Sequence, residues 1–118
     1  MTKPIGPYTP VVRAGEWLVV SGQLGLVDGK LVNGGTTAEL RQALANLQGL
    51  LEAEGASLDD VAKTTVFLRH LGTDYDAMNE AYLECFGDHR PARSAIGVAE
   101  LPRGALVEVE AWAHVGAG

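Results

Sequence analysis

Residues 89–113 read HRPARSAIGVAELPRGALVEVEAWA, and the fold follows from how this stretch alternates. It divides into two β-strand runs joined by a Leu101-Pro102-Arg103-Gly104 turn. Successive strand side chains point to opposite faces, so Val107, Val109, Ala111, Ala113 and Val115 share an ordinary core face. Leu106, Glu108, Glu110, Trp112 and His114 share the other. Two acids flanked by Leu and Trp fit neither a plain solvent face nor a plain core face. In the first run Arg93 shares its side with Ala95, Gly97 and Ala99. That pattern leaves a cation standing over a floor of small residues, with room for a small ligand. A guanidinium is a fixed-charge fork suited to gripping a carboxylate through parallel hydrogen bonds.

Working outward, the chain of 118 residues reads as one domain, 1–118, large enough to bury a core without staples. The net charge of −6, with nine basic residues scattered rather than clustered, counts against nucleic acid as a partner. Neither a signal-type leader nor a membrane-length apolar run is present, so no membrane partner and a cytoplasmic location are expected. A single cysteine, Cys85, rules out an internal disulfide and sits among apolar helix positions as a buried thiol. His70, His89 and His114 lack metal-ligand spacing, so no metal site is expected. Ser21-Gly22-Gln23-Leu24-Gly25 lacks the lysine and spacing of a phosphate loop.

In chain order, Lys3 to Pro10 is a Pro- and Gly-rich extended lead-in carrying Tyr8, which bare pattern reads as a packing residue at a sheet edge. Val11–Ala14 and Trp17–Ser21 form a hairpin, with Gly22 after it as a bulge or a site of close backbone approach. Asp28-Gly29 turns a second, small hairpin. Leu40, Ala43, Leu44, Leu47, Leu50 and Leu51 mark an amphipathic helix, capped by Thr36 or Thr37, with Glu39 in its first turn and Gly55 beyond its end. Val61–His70 is a strand with Ala62, Thr64, Val66 and Leu68 on its core side. A second helix, capped by Thr73 or Asp74, carries Tyr75, Met78, Tyr82 and Cys85 or Phe86 on one stripe and closes at Gly87.

The order β-β-α-β-α-β-β with one apolar stripe per helix predicts an α+β fold with both helices on one face of one sheet. The other face, carrying Trp17, Val19, Phe67, Leu106 and Trp112, is left without a layer, so self-association is expected through it. Arg93 is expected on that uncovered face too. From strand pattern alone, Glu108 or Glu110 serves either as a structural partner of Arg93 or as a partly desolvated general acid/base.

Beyond pattern, Pro91-Ala92-Arg93-Ser94-Ala95, Val98-Ala99-Glu100-Leu101-Pro102 and Val107-Glu108-Val109-Glu110-Ala111 together resemble the RidA (YjgF-like) family. Gly6-Pro7-Tyr8, Val20-Ser21-Gly22-Gln23, Gln42-Ala43-Leu44 and Lys63-Thr64-Thr65-Val66-Phe67 extend the resemblance along the whole chain. It implies a homotrimer of the chorismate-mutase-like fold, sheets facing inward, with ligand clefts between subunits. It also implies cofactor-independent hydrolysis of enamines and imines, such as 2-aminoacrylate and 2-iminopropanoate, to a 2-keto acid and ammonia. Arg93 matches the residue that grips the substrate carboxylate, Glu108 the one that orients water, and Tyr8 a pocket tyrosine. Gly22 and Ala95 match positions whose backbone approaches the ligand. Ala95 stands where some members carry cysteine, and Val109 replaces a more usual Ile or Met. The rival expectations are a non-enzymatic binder of keto or amino acids and an RNA-cleaving translation inhibitor.

Overall fold

The computed structural model describes residues 4–116; Lys3, the first residue of the expected lead-in, lies outside them. The elements are β1 Val11–Ala14, β2 Trp17–Gln23, β3 Leu26–Val27, β4 Lys30–Leu31, α1 Gly35–Ala53, β5 Val61–Leu68, α2 Leu71–Phe86, β6 Ala92–Gly97 and β7 Val107–His114. The small β3–β4 hairpin stands apart, and its turn at Asp28 (φ 52°) and Gly29 (φ 79°) uses the two left-handed positions that Asp-Gly supplies. The other five strands form one sheet in the order β1-β2-β7-β5-β6. Only β5 and β6 run parallel, joined by the α2 crossover. β6 and β7, consecutive in sequence, are therefore not partners: β5 lies between them.

Both helices cover one face, as the single stripes require. Leu40, Leu44, Leu47 and Leu51 of α1 and Met78, Ala81, Tyr82 and Phe86 of α2 meet Leu18, Val20, Val66, Val107, Val109 and Ala111 in one core. Among the described residues no layer covers the opposite face, and Val12, Trp17, Ile96 and Trp112 remain 37–48% exposed there. Trp17 packs edge-on against Trp112, with ring centroids 6.2 Å apart.

The helix starts depart from expectation. α1 begins after Gly34 (φ 119°), without a side-chain cap. Thr36 instead donates its hydroxyl to the Asp74 carboxylate (2.6 Å), tying the starts of α1 and α2 together, while His70 precedes α2. Glu39, expected to favour the helix dipole, is buried and accepts the Leu106 backbone N–H at 2.8 Å. In each case a tertiary partner outcompetes the local capping preference. Gly55 (φ 81°) and Gly87 (φ 63°) end their helices as expected.

Candidate functional site

Glu108 stands on the open face of β7, and its surroundings come from the irregular end of β2. The β2–β7 register breaks between Val20 and Gln23, so Gly22 bulges toward the glutamate. A Cβ on Gly22 would lie 2.7 Å from the Glu108 carboxyl carbon and 2.8 Å from its Oε2. Any side chain there would displace the carboxyl, which explains glycine at this position. A cavity of about 680 Å³ opens here, lined among others by Tyr8, Gly22, Gln23, Phe67, Glu108 and Glu110. Burial, and then the neighbouring charge of Glu110, push the Glu108 carboxyl above the usual carboxylate range. Among the described residues neither acid has a cationic partner within 4.0 Å. The arrangement is a half-buried carboxyl able to hold or release a proton beside an open cavity.

Arg93 is found on the other side of the sheet, which corrects the expectation that it faces the uncovered side. β6 pairs Arg93 with Thr64, and β5 in turn pairs Thr64 with Ala111; Thr64 and Ala111 are both fully buried under the helices. Because β6 is an edge strand, the long side chain still reaches the rim. Its Nη1 donates to Asn79 Oδ1 at 2.7 Å and its Nη2 to the Tyr75 hydroxyl at 3.2 Å. The guanidinium carbon lies 5.0 Å from the centre of the Tyr82 ring and 5.7 Å from that of Tyr75. Both are cation–π distances. The Tyr82 hydroxyl is itself held by Thr64 Oγ1 at 2.7 Å. The small-residue floor has a different purpose from the one expected: Gly97 makes room for Leu71, and Ala95 packs on the core. Among the described residues every group holding Arg93 is neutral, so they fix its charge in place without neutralising it.

The five sequence candidates thus fall into two sets. Tyr8, Gly22 and Glu108 line one cavity; Arg93 lines a second cleft, and neither it nor Ala95 lines the first. Glu108 pairs with Phe67 and Arg93 with Thr64, three residues earlier on β5, and the two side chains leave opposite faces. Two strand spacings and three residue rises put their backbones on the order of 14 Å apart. One chain does not bring them together around a small molecule. Asn79, Tyr75 and Tyr82 escaped the sequence reading because their i, i+4, i+7 spacing looks like an ordinary helix stripe. Only the parallel pairing of β5 and β6 shows that this stripe meets an arginine. Among the described residues no cluster of His, Cys, Asp and Glu suits a metal, and no helix is long and apolar enough to cross a membrane.

Residues 1–115 match the family described as Endoribonuclease L-PSP. The chain belongs to the YjgF/RidA family. A RutC family protein of Pyrococcus horikoshii is 44% identical over 114 residues, spanning 95% of this chain and 90% of that one. The 2-iminobutanoate/2-iminopropanoate deaminase of Mus musculus is 45% identical over 114 residues, 95% of this chain and 84% of the mouse protein. The crystal structure of RidA from an Antarctic Psychrobacter superposes with a TM-score of 0.91 at 35% identity, covering 96% of this chain and 92% of that one. The YjgF/RidA fold expected from the sequence is thus the fold observed, and deaminases occur among the relatives.

Proposed function

We propose that this chain is a homotrimeric enamine/imine deaminase, needing no cofactor, that converts 2-aminoacrylate or 2-iminopropanoate to a 2-keto acid and ammonia. The observation that carries this reading is the half-buried, unneutralised guanidinium of Arg93, in a chain whose family includes deaminases. A cation held by neutral donors and aromatic faces is prepared for an anion from outside. The proton-poised Glu108 lies too far away in the same chain, so the reading joins Arg93 of one subunit to the Tyr8, Gly22 and Glu108 cavity of the next. The exposed apolar face of the sheet supplies a surface for that assembly.

The chemistry asks little of the protein, because the substrate is already an electrophile. Arg93 holds the carboxylate, with the backbone at Gly22 and Ala95 and the ring of Tyr8 bounding the pocket. Glu108, as the carboxylic acid, gives a proton to C3 of the enamine, yielding the iminium ion. As the carboxylate, it takes a proton from water while the water oxygen bonds to C2 and the C=N π pair moves onto nitrogen, giving a neutral carbinolamine. The carboxylic acid so formed then protonates that nitrogen: the C2–N bond breaks with its electron pair leaving on ammonia, and the hydroxyl proton passes back to Glu108 as the ketone forms. Holding water and imine carbon in one geometry supplies most of the advantage.

The test is ammonia release from enzymatically generated 2-aminoacrylate. Arg93→Ala is expected to lower kcat/KM about 100-fold, the value of a paired set of charge-assisted hydrogen bonds. Equal rates for the two proteins would remove the arginine from the reaction. Binding of a keto acid with no rate acceleration by wild type would leave a metabolite-binding protein instead. The family's endoribonuclease description favours RNA cleavage as a second reading. The acidic net charge of −6 opposes it, and RNA left intact at low salt would dispose of it.

A further inference from the structure

The cleft around Arg93 contains a second arginine that the deaminase reading does not use. About 370 Å³ in volume, it is lined by Asn79, Tyr82, Leu83, Arg90, Pro91 and Arg93. Two arginines therefore border one small space on a chain whose net charge is −6. No carboxylate lines the cleft, and among the described residues neither arginine has one within 4.0 Å. Arg93 has its Asn79 and Tyr75 contacts, whereas Arg90 is exposed on the loop leading into β6. Like charges side by side are unfavourable unless an anion joins them. A monocarboxylate on Arg93 would leave Arg90 unanswered.

We propose that Arg90 selects substrates with a second carboxylate, so that the cleft takes 2-imino diacids such as 2-iminosuccinate and 2-iminoglutarate alongside the smaller monoacids. This rests on the reading of Arg93 as the carboxylate anchor. The 1-carboxylate sits on Arg93 and the distal carboxylate on Arg90. The two Cα atoms are three residues apart, at most about 11 Å, and both side chains are long and flexible. A four- or five-carbon diacid can bridge them. The methylene groups between the carboxylates find an apolar floor in Leu83, Pro91 and the Tyr82 ring. Arginine is the residue suited to a planar carboxylate, and a lysine here would supply charge without the fork.

The experiment compares 2-iminoglutarate with 2-iminopropanoate, each generated by an amino-acid oxidase, on wild type and Arg90→Gln. Arg90→Gln keeps a hydrogen-bonding side chain at an exposed position and removes only the charge. The ratio of kcat/KM for diacid over monoacid is expected to fall about tenfold, the scale of one charge-assisted hydrogen bond. An unchanged ratio overturns the assignment. Calorimetric binding of 2-ketoglutarate against pyruvate reads the same ratio without turnover. Wild type should prefer the diacid and Arg90→Gln should not; equal affinities in wild type would also overturn it. Failure of the deaminase reading looks different, because there Arg93→Ala leaves 2-iminopropanoate hydrolysis untouched whatever Arg90 does.

Discussion

Thr64 and Thr65 are neighbours on β5 and live in opposite worlds. Thr64 points under the helices, is fully buried, and shares a hydrogen bond with the Tyr82 hydroxyl. Thr65 points to the open face, across from Glu110. On the covered side each buried polar side chain has a partner: Thr36 has Asp74, Glu39 has the Leu106 N–H, and Thr64 has Tyr82. The open side carries two half-buried carboxyls without cationic partners among the described residues, together with two indoles in part exposed. A face finished inside one chain satisfies its polar groups, because an unpaired one costs about 1–3 kcal/mol. A face that leaves them unmatched is built to meet something else. Arg93, fixed but not neutralised at the rim of the covered side, belongs with the open face in this respect.

If the open face is completed by further copies, charging it breaks both assembly and activity, the largest effect expected. Trp112→Glu puts a third carboxylate beside Glu110 on β7, at a position 45% exposed and outside the helix-covered core. The fold should survive, since no core contact is removed. Light scattering after size exclusion should show wild type as a trimer and the variant as a monomer. Imine hydrolysis should fall to the uncatalysed rate, because Arg93 and Glu108 no longer meet. A variant that keeps both its mass and its activity would mean that the contrast between the faces has nothing to do with association.

A smaller but more specific effect follows from Glu108. Replacing it with Gln should lower kcat about 10²- to 10⁴-fold, the usual value of a general acid/base, while keto acid binding persists. Its proton affinity is raised by burial and by Glu110, so the acid limb of the wild-type pH–rate profile should lie above the ordinary glutamate range. The stability sign is the reverse of a salt-bridged acid. The folded state binds the proton more tightly than the unfolded chain, so stability is fullest below the unfolded pKa and is lost as pH rises through the folded one. Glu108→Gln should therefore melt higher than wild type at neutral pH and match it in acid. Thermal melts from pH 3 to 8 check this, and parallel curves across that range would contradict it.

Much of the molecule was legible in the sequence because strict alternation admits few solutions. The four odd positions from Val107 to Ala113 announced a covered face, the even ones an uncovered face, and Gly22 announced either a bulge or a close approach and turned out to be both. The side taken by Arg93 was not legible. Alternation fixes which residues share a face within a strand, not which way that set turns relative to another strand. That relation came from the parallel register of β6 on β5, a non-local fact. The helix caps failed for a similar reason. Thr36 was identified as a helix-start residue, but its hydroxyl had a better partner 38 positions away in Asp74. The tyrosines around Arg93 were visible only as a helix stripe, and a stripe does not say what it packs upon.

The smallest expected effect probes the seam between the two regimes. Tyr82 serves the covered face as a core residue, 5% exposed, and serves Arg93 as an aromatic platform. Thr64 is what fixes its hydroxyl. Thr64→Val keeps the shape and removes the bond, leaving a buried phenol unpaired, so stability should fall by about 1–3 kcal/mol in urea melts. Adding Tyr82→Phe removes the stranded hydroxyl as well, and the double variant should recover most of that loss, since deleting both partners of a buried pair is close to neutral. The ring remains beneath the guanidinium in the double variant, so KM for the imine should stay near the wild-type value there. A double variant as unstable as Thr64→Val alone would show that packing around residue 64, not the hydrogen bond, holds this corner together. One that is stable but has a raised KM would show that the hydroxyl pair, rather than the ring face, sets the arginine in place.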